Sequence, residues 1–225
     1  MSVINLHTAK QLGLKLGNRV SVRGVLATAR GYWPEHVSAS AGEVRLPEDY
    51  LAVDLGDLSK ACDCDVDGLL GADFFREHVV QIDFVTRKIR LLKSFNPGKE
   101  AESVPLEVRP CGLRIPLQVN GGRQQWMRLD TGCASALQWV TSQVSSNRCS
   151  HQIAIGMAKV SIPQIETTVQ IGNAQFKAVP TGLHGKEIFA GESGLLGNGL
   201  LSRFSLVTVD ASAGRLILGQ PHTVD

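Results

Sequence analysis

The chain repeats itself, and the repeat limits its possible folds more than any other feature of the sequence. Gly68-Leu69-Leu70-Gly71 recurs 126 residues later as Gly194-Leu195-Leu196-Gly197. Val44-Arg45-Leu46 finds its counterpart 125 residues on, at Val169-Gln170-Ile171. Val80-Gln81-Ile82-Asp83 and Lys88-Ile89-Arg90-Leu91 find theirs 127 residues on, at Val207-Thr208-Val209-Asp210 and Arg215-Leu216-Ile217-Leu218. Four blocks kept in order within two residues of one spacing describe two copies of one unit. The copies are strand-rich: aromatics are only 5%, glycines number 23, and Val, Leu and Ile recur in short runs, which suits short strands joined by tight turns.

Periodicity fills in the elements. Residues 8–16 read as a short helix with Thr8 near its cap. Val20, Val22 and Val25 suggest one strand, and Val44, Leu46, Leu51 and Val53 suggest later ones, with turns at Gly31 and Gly42. Residues 67–75 read as an apolar turn running into a short helix. Residues 79–84 and 88–92 read as a hairpin around Val85-Thr86-Arg87. Asn96, Pro97, Gly98, Pro105, Pro110 and Gly112 mark 94–112 as a linker. Leu113 to Val119, the turn Asn120-Gly121-Gly122, and Gln125 to Asp130 form a second hairpin. The expected organisation is a first lobe over 1–93, a linker over 94–112, and a second lobe over 113–220.

Several function classes recede on composition. A net charge of +2 offers no field for nucleic acid or an anionic membrane, and Arg87-Lys88-Ile89-Arg90 reads as a solvated hairpin face. No apolar stretch reaches the roughly 18–20 residues needed to span a bilayer. The opening residues show no basic region followed by an apolar run, so no signal peptide is expected. Cys62 and Cys64 stand one residue apart, too close for a Cys-x-x-Cys site, and the six histidines are scattered. With Cys111, Cys133 and Cys149 they read as incidental thiols, and no metal is expected. The compartment stays open.

The chemistry sits in the second copy, in Leu129-Asp130-Thr131-Gly132-Cys133-Ala134-Ser135. An apolar strand leads into this segment, and Leu195-Leu196-Gly197 follows, its glycine 67 residues after Asp130. With that setting the sequence resembles the retropepsin-like and pepsin-like aspartic peptidases. The resemblance covers 113–219 as a complete unit and 2–92 as an incomplete one. It implies an all-β fold of two retropepsin-like β-barrel lobes related by an internal pseudo-twofold, the first lacking its N-terminal strands. It implies an endopeptidase acting on peptide or protein substrates without cofactor, with Asp130 catalytic and Thr131 and Gly132 shaping its loop. It also implies a flap within 150–168.

In such a site two carboxylates about 3 Å apart cannot both ionise and share a proton. One takes a proton from a water held between them, and the other protonates the scissile carbonyl and then the leaving amine. A pair is required, and here the sequence departs from the family pattern. The first copy has Leu69-Leu70-Gly71 but no Asp-Thr-Gly before it. Aligning Ser2-Val3-Ile4 with Ser135-Ala136-Leu137 puts the missing aspartate at position −3, and the 126-residue spacing puts it at Ile4.

Other acids have structural explanations. Asp54-Leu55-Gly56 mimics the tripeptide but corresponds to a region near Pro180-Thr181-Gly182, in a connecting segment. Asp67 and Asp73 are expected to cap the helix after the turn, Asp83 and Asp210 to form hairpin turns, and Glu192 to stay solvated. Cys133 reads as a buried small residue, Trp126 and Trp139 as core or subsite wall, and His151 as surface or flap. Three arrangements accommodate one Asp-Thr-Gly loop: a shortened form of a two-aspartate enzyme, a homodimer pairing two Asp130 residues, and a pseudopeptidase that binds extended peptides. A lone carboxylate is expected to keep a pKa near 4. The unpaired strands of the first lobe are expected to leave an edge open to association.

Overall fold

The computed structural model describes residues 1–23, 28–96, 101–142, 150–155 and 158–222. Twenty short strands and four helices account for most of them, so the chain is mainly β. It divides into two compact units, one of residues 1–74 with 154–160 and one of residues 75–153 with 161–225.

The first unit opens with β1 (Ser2–Asn5) and α1 (Leu6–Gln11). The helix starts two residues earlier than Thr8 because Asn5 caps it, its side-chain oxygen accepting from the His7 amide at 3.2 Å. It also stops earlier, because Gly13 takes a left-handed φ of +68°. Leu14 and Leu16 therefore leave the helix, and Leu16 begins β2 (Leu16–Arg23), which pairs with β3 (Thr28–Pro34). Val25 lies outside the described residues. After the small ribbon of β4 (Ser40–Ala41) and β5 (Val44–Arg45) come β6 (Tyr50–Val53), α2 (Gly56–Cys62) and β7 (Gly68–Leu69). The sheet order is β2-β3-β6-β1-β7, with β1 parallel to β6 and antiparallel to β7. Ile4, Ala9, Tyr50 and Ala52 form its buried core, with Leu6, Leu14, Leu16, Tyr32, Val37 and Leu46 packed around them.

Two aspartates expected as helix caps instead tie this unit together. Asp67 accepts from the Thr8 hydroxyl at 2.7 Å, fastening α1. Asp73, in the first turn of α3 (Ala72–Glu77), accepts from the Ser2 amide at 2.7 Å and the Ser2 hydroxyl at 3.0 Å, fastening β1. Burial works against its ionisation, but the Ser2 and Phe74 amides, the Ser2 hydroxyl and the terminal amine outweigh it and hold the carboxyl below its usual range.

The second unit contains the hairpin β8 (Val79–Asp83) and β9 (Lys88–Leu92), as the alternation implies. The segment 94–112, expected as a linker, carries strands β10 (Glu102–Pro105) and β11 (Glu107–Arg109). Pro105, Pro110 and Gly112 fall at strand ends, where they interrupt little of the ladder, while Pro97 and Gly98 lie outside the described residues. Next come β12 (Gly112–Val119), β13 (Gln125–Asp130), β14 (Leu137–Val140), β15 (Ser150–Ile155), β16 (Ala158–Ile171) and β17 (Ala174–His184). The chain closes with β18 (Gly194–Gly197), α4 (Asn198–Leu201), β19 (Leu206–Asp210) and β20 (Arg215–Leu218). One sheet runs β10-β20-β19-β8-β9 and the other β11-β12-β13-β18-β14-β17-β16-β15. Ile115, Leu117, Met127, Leu137, Leu195 and Leu196 lie fully buried within the second.

β8 and β19, whose sequences match at a spacing of 127 residues, pair antiparallel about Gln81 opposite Thr208, with Val80 opposite Val209 and Ile82 opposite Val207. Positions 81 and 208 stand at that same 127-residue spacing, so the ladder reads alike from either strand. The Gln81 amide donates to the Thr208 hydroxyl at 3.2 Å at that point. The two hairpin turns also match. Asp83 accepts from the Thr86 amide at 2.8 Å and Asp210 from the Ala213 amide at 3.1 Å, while Arg87 and Gly214 both take left-handed φ. Both aspartates act as turn formers. Among the described residues no helix is long and apolar enough to cross a membrane.

Candidate active site

β13 delivers Asp130 to the end of a ladder. It lies parallel to β18, with Arg128 opposite Leu195, Leu129 opposite Leu196 and Asp130 opposite Gly197. β14 lies on the other side of β18, antiparallel, with Leu137 opposite Leu196 and Trp139 opposite Gly194. Gly194-Leu195-Leu196-Gly197 is thus wedged between the strands before and after the Asp-Thr-Gly loop, which buries both leucines completely.

The glycines of that tetrapeptide have steric reasons. A Cβ on Gly197 would come within 2.2 Å of the Ser135 carbonyl oxygen and 2.7 Å of the Cys133 carbonyl oxygen. A Cβ on Gly194 would sit 2.0 Å from the Gln138 carbonyl oxygen, and its φ is +151°. The loop is sewn to α4 by backbone bonds: the Asn198 amide to the Cys133 carbonyl at 2.6 Å, and the Gly199 amide to the Ser135 carbonyl at 3.3 Å.

Asp130 curls back on its own loop, its carboxylate accepting from the Gly132 amide at 3.0 Å. Burial raises its pKa above the ordinary value, against the opposing Gly132 amide, the Arg128 charge and the Cys133 amide. The expectation of an ordinary pKa near 4 is therefore corrected: the Asp130 carboxyl is desolvated, and that effect prevails. Thr131 and Gly132 occupy the turn that follows, Gly132 exposed. Cys133 is buried, with its sulfur 2.9 Å from the Ser135 hydroxyl, and burial pushes its thiol upward in pKa.

Glu192, expected to be solvated, is only 6% exposed and grips Arg128 with both oxygens. Arg128 Nε and Nη2 each donate to it at 2.8 Å, and the guanidinium stacks 3.5 Å above the Phe189 ring. Arg128 is two residues from Asp130 on one strand and so shares its face. That alternation was readable in the sequence. Its partner 64 residues away was not. Next along β13, Trp126 is half-buried beneath Arg114, and the Trp139 indole donates to Gln125 at 3.1 Å.

Sequence reasoning also missed Gln138 and His184, buried and hydrogen-bonded at 2.8 Å, His184 held below its usual pKa by burial. Gln138 lines a cavity of about 290 Å³ behind the loop, together with Ala134, Ser135, Ile162, Gln164 and Arg203.

Asp54 lies elsewhere, exposed at the entry to α2, where its side chain accepts from the Gly56 amide at 2.9 Å. Most of 150–168 is occupied by β15 and β16, neighbours in the sheet, while residues 156–157 and the side chain of His151 lie outside the described part. Cys62, Cys64 and Cys111 are exposed free thiols, and Cys149 lies outside the described residues.

The Asp130 shift has a sign that can be measured. A carboxyl whose folded pKa is raised contributes stability fully present below its unfolded value of about 3.9 and lost as pH rises through the folded value. Asp130→Asn keeps an oxygen for the Gly132 amide and removes the buried charge. The variant is expected to melt higher than the parent at pH 7 and equal to it below pH ~4. A lower midpoint at pH 7 would contradict the burial argument.

No protein-family model matches this chain, and no curated protein matches it. Among solved structures it is similar to a retropepsin-like aspartic protease from Rickettsia conorii. The identity is 21% and the TM-score 0.37, over 56% of this chain and 96% of that chain.

Proposed function

We propose that the chain is an aspartic-type endopeptidase component in which Asp130 is one half of a two-carboxylate site. The observation that carries this reading is the Asp130-Thr131-Gly132 loop itself: an aspartate at the end of an apolar strand, locked against a glycine-bounded strand, and partly removed from water. Burial favours the protonated carboxyl, which suits a group that must hold a proton for a scissile carbonyl or a leaving amine. With a second carboxylate about 3 Å away, one acid activates a water while the other donates. Thr131 and Gly132 shape the loop, and the substrate is an extended peptide or protein segment.

The lobes are read as 1–93 and 113–220, two copies of one unit. The pairing of β8 with β19 about Gln81 and Thr208 supports the repeat, as do the matched turns at Asp83 and Asp210. So does the arrangement of β1 between β6 and β7, which has the same strand directions as that of β14 between β17 and β18.

A second reading has its own observation. The groups acting on Asp130 among the described residues are Gly132, Arg128 and Cys133, none of them a carboxylate. A chain with that site alone binds peptides and cleaves slowly or not at all; two Asp130 residues paired in a homodimer would instead complete it. Incubation with a mixed peptide library, with new termini read by mass spectrometry, separates these readings. Cleavage by the parent that disappears in Asp130→Asn, while the variant stays folded, supports the peptidase. Binding by both proteins with cleavage by neither supports the binding module.

A further inference from the structure

Among the described residues of the second unit, four arginines are half-buried: Arg114, Arg128, Arg203 and Arg215. Three of them grip a carboxylate. Arg114 holds Glu107 at 2.7 Å, Arg128 holds Glu192 at 2.8 Å, and Arg215 holds Asp210 at 3.0 Å. Arg203 pairs with no carboxylate among the described residues. Its guanidinium donates to the Lys177 carbonyl at 3.4 Å and lies 5.9 Å from the centre of the Phe176 ring. A half-buried cation gives up hydration that only a counter-charge restores. Arg203 is also the one charged side chain among the residues lining the cavity of about 290 Å³ behind the Asp130 loop.

Polar donors stand beside that charge. Gly182 of β17 is registered opposite Gln138 of β14 and opposite Gln164 of β16. Its lack of a side chain makes the room, since a Cβ there would stand 2.2 Å from Gln138 Oε1 and 2.4 Å from the Ile162 side chain. Gln138 is 2% exposed, and its amide oxygen, which only accepts, takes a hydrogen bond from His184 Nε2 at 2.8 Å. The two N–H donors of that amide stay outside this bond. Ala134, Ala136, Ile162 and Pro180 supply apolar wall.

We propose that this cavity binds a small monocarboxylate with a compact apolar body. The carboxylate sits on Arg203 and the glutamine amides, and the body lies against the alanines, Ile162 and Pro180. One guanidinium matches one negative charge, and its fork fits two carboxylate oxygens. A phosphate carries more charge and more acceptors than one cation among apolar walls can satisfy. The volume lies at the lower end of the roughly 300–1,000 Å³ usual for ligand sites, which suits an acid of hexanoate size. Asp130 does not line the cavity, so the proposal stands apart from the peptidase reading.

The test follows the full chain by amide NMR at pH 7 and constant ionic strength, titrated with sodium hexanoate, hexanamide or inorganic phosphate. Hexanoate is expected to give saturable shifts at Ala136 and Gly182, with an affinity at least tenfold above that of either other probe. Arg203→Gln is expected to weaken hexanoate at least tenfold, and Arg203→Lys, which keeps the charge without the fork, by less. Equal affinity for hexanamide would overturn the proposal, because the carboxylate would go unrecognised. Equal affinity for phosphate would overturn it as well, because the apolar wall would contribute nothing. So would no saturation by about 10 mM hexanoate, undiminished binding by Arg203→Gln, or shifts centred on Gln175 and Ser202, which share Arg203 around a separate hollow. Should Arg203→Gln fail to fold, the three probes on the parent decide the matter by themselves.

Discussion

Glu192→Ala is expected to destabilise the second unit by about 3–5 kcal/mol, because it strands the Arg128 guanidinium in a site where its two strongest partners were both Glu192 oxygens. The loss greatly exceeds that of any exposed pair such as Lys60 with Asp57, worth about 0–1 kcal/mol. The asymmetry of buried ion pairs supplies an internal control. Replacing both partners together, Arg128→Met with Glu192→Leu, leaves no uncompensated charge and is expected to recover most of the stability. Urea unfolding followed through Trp126 and Trp139, in a Trp33→Phe background, reads the second unit. A single variant within about 0.5 kcal/mol of the parent would show that water reaches the pair.

Gly194→Ala is expected to cost the same unit about 3 kcal/mol or more. The new methyl would stand 2.0 Å from the Gln138 carbonyl oxygen and 2.9 Å from the Met127 sulfur, on a residue whose φ of +151° excludes ordinary side chains. Relief requires β14 to move away from β18, and β14 is held on its far side by β17. The equivalent Gly68→Ala meets the Val3 carbonyl oxygen at 2.7 Å without a left-handed φ. Its cost is expected to be smaller, because among the described strands β7 ends its sheet and can shift away from β1. Denaturation midpoints of the two variants, each read against the parent, check the ordering.

What was legible in the sequence was whatever local chemistry or repetition enforces. The hairpins at 79–92 and 113–130 followed from alternation and from turn residues whose φ only a few side chains accept, as Asn120 and Gly121 show at +52° and +67°. The Asp130 loop was legible because a glycine-bounded strand must cross it. The end of α1 was misread because Leu14 and Leu16 continue an apolar pattern that Gly13 interrupts in space. The strands in 94–112 were hidden because prolines and glycine at their ends look like a linker. Glu192 was misread because its partner Arg128 lies on β13, 64 residues away in sequence, and the elevated Asp130 pKa because desolvation depends on packing that no local motif encodes.

The central claim is that Asp130 performs acid–base chemistry on a peptide bond, and the most direct measurement is the rate of new peptide termini from a mixed library, for the parent and Asp130→Asn, between pH 3 and pH 7. The account predicts that cleavage by the parent falls at least about 100-fold in the variant while both proteins unfold cooperatively. Equal rates in the two proteins would contradict it.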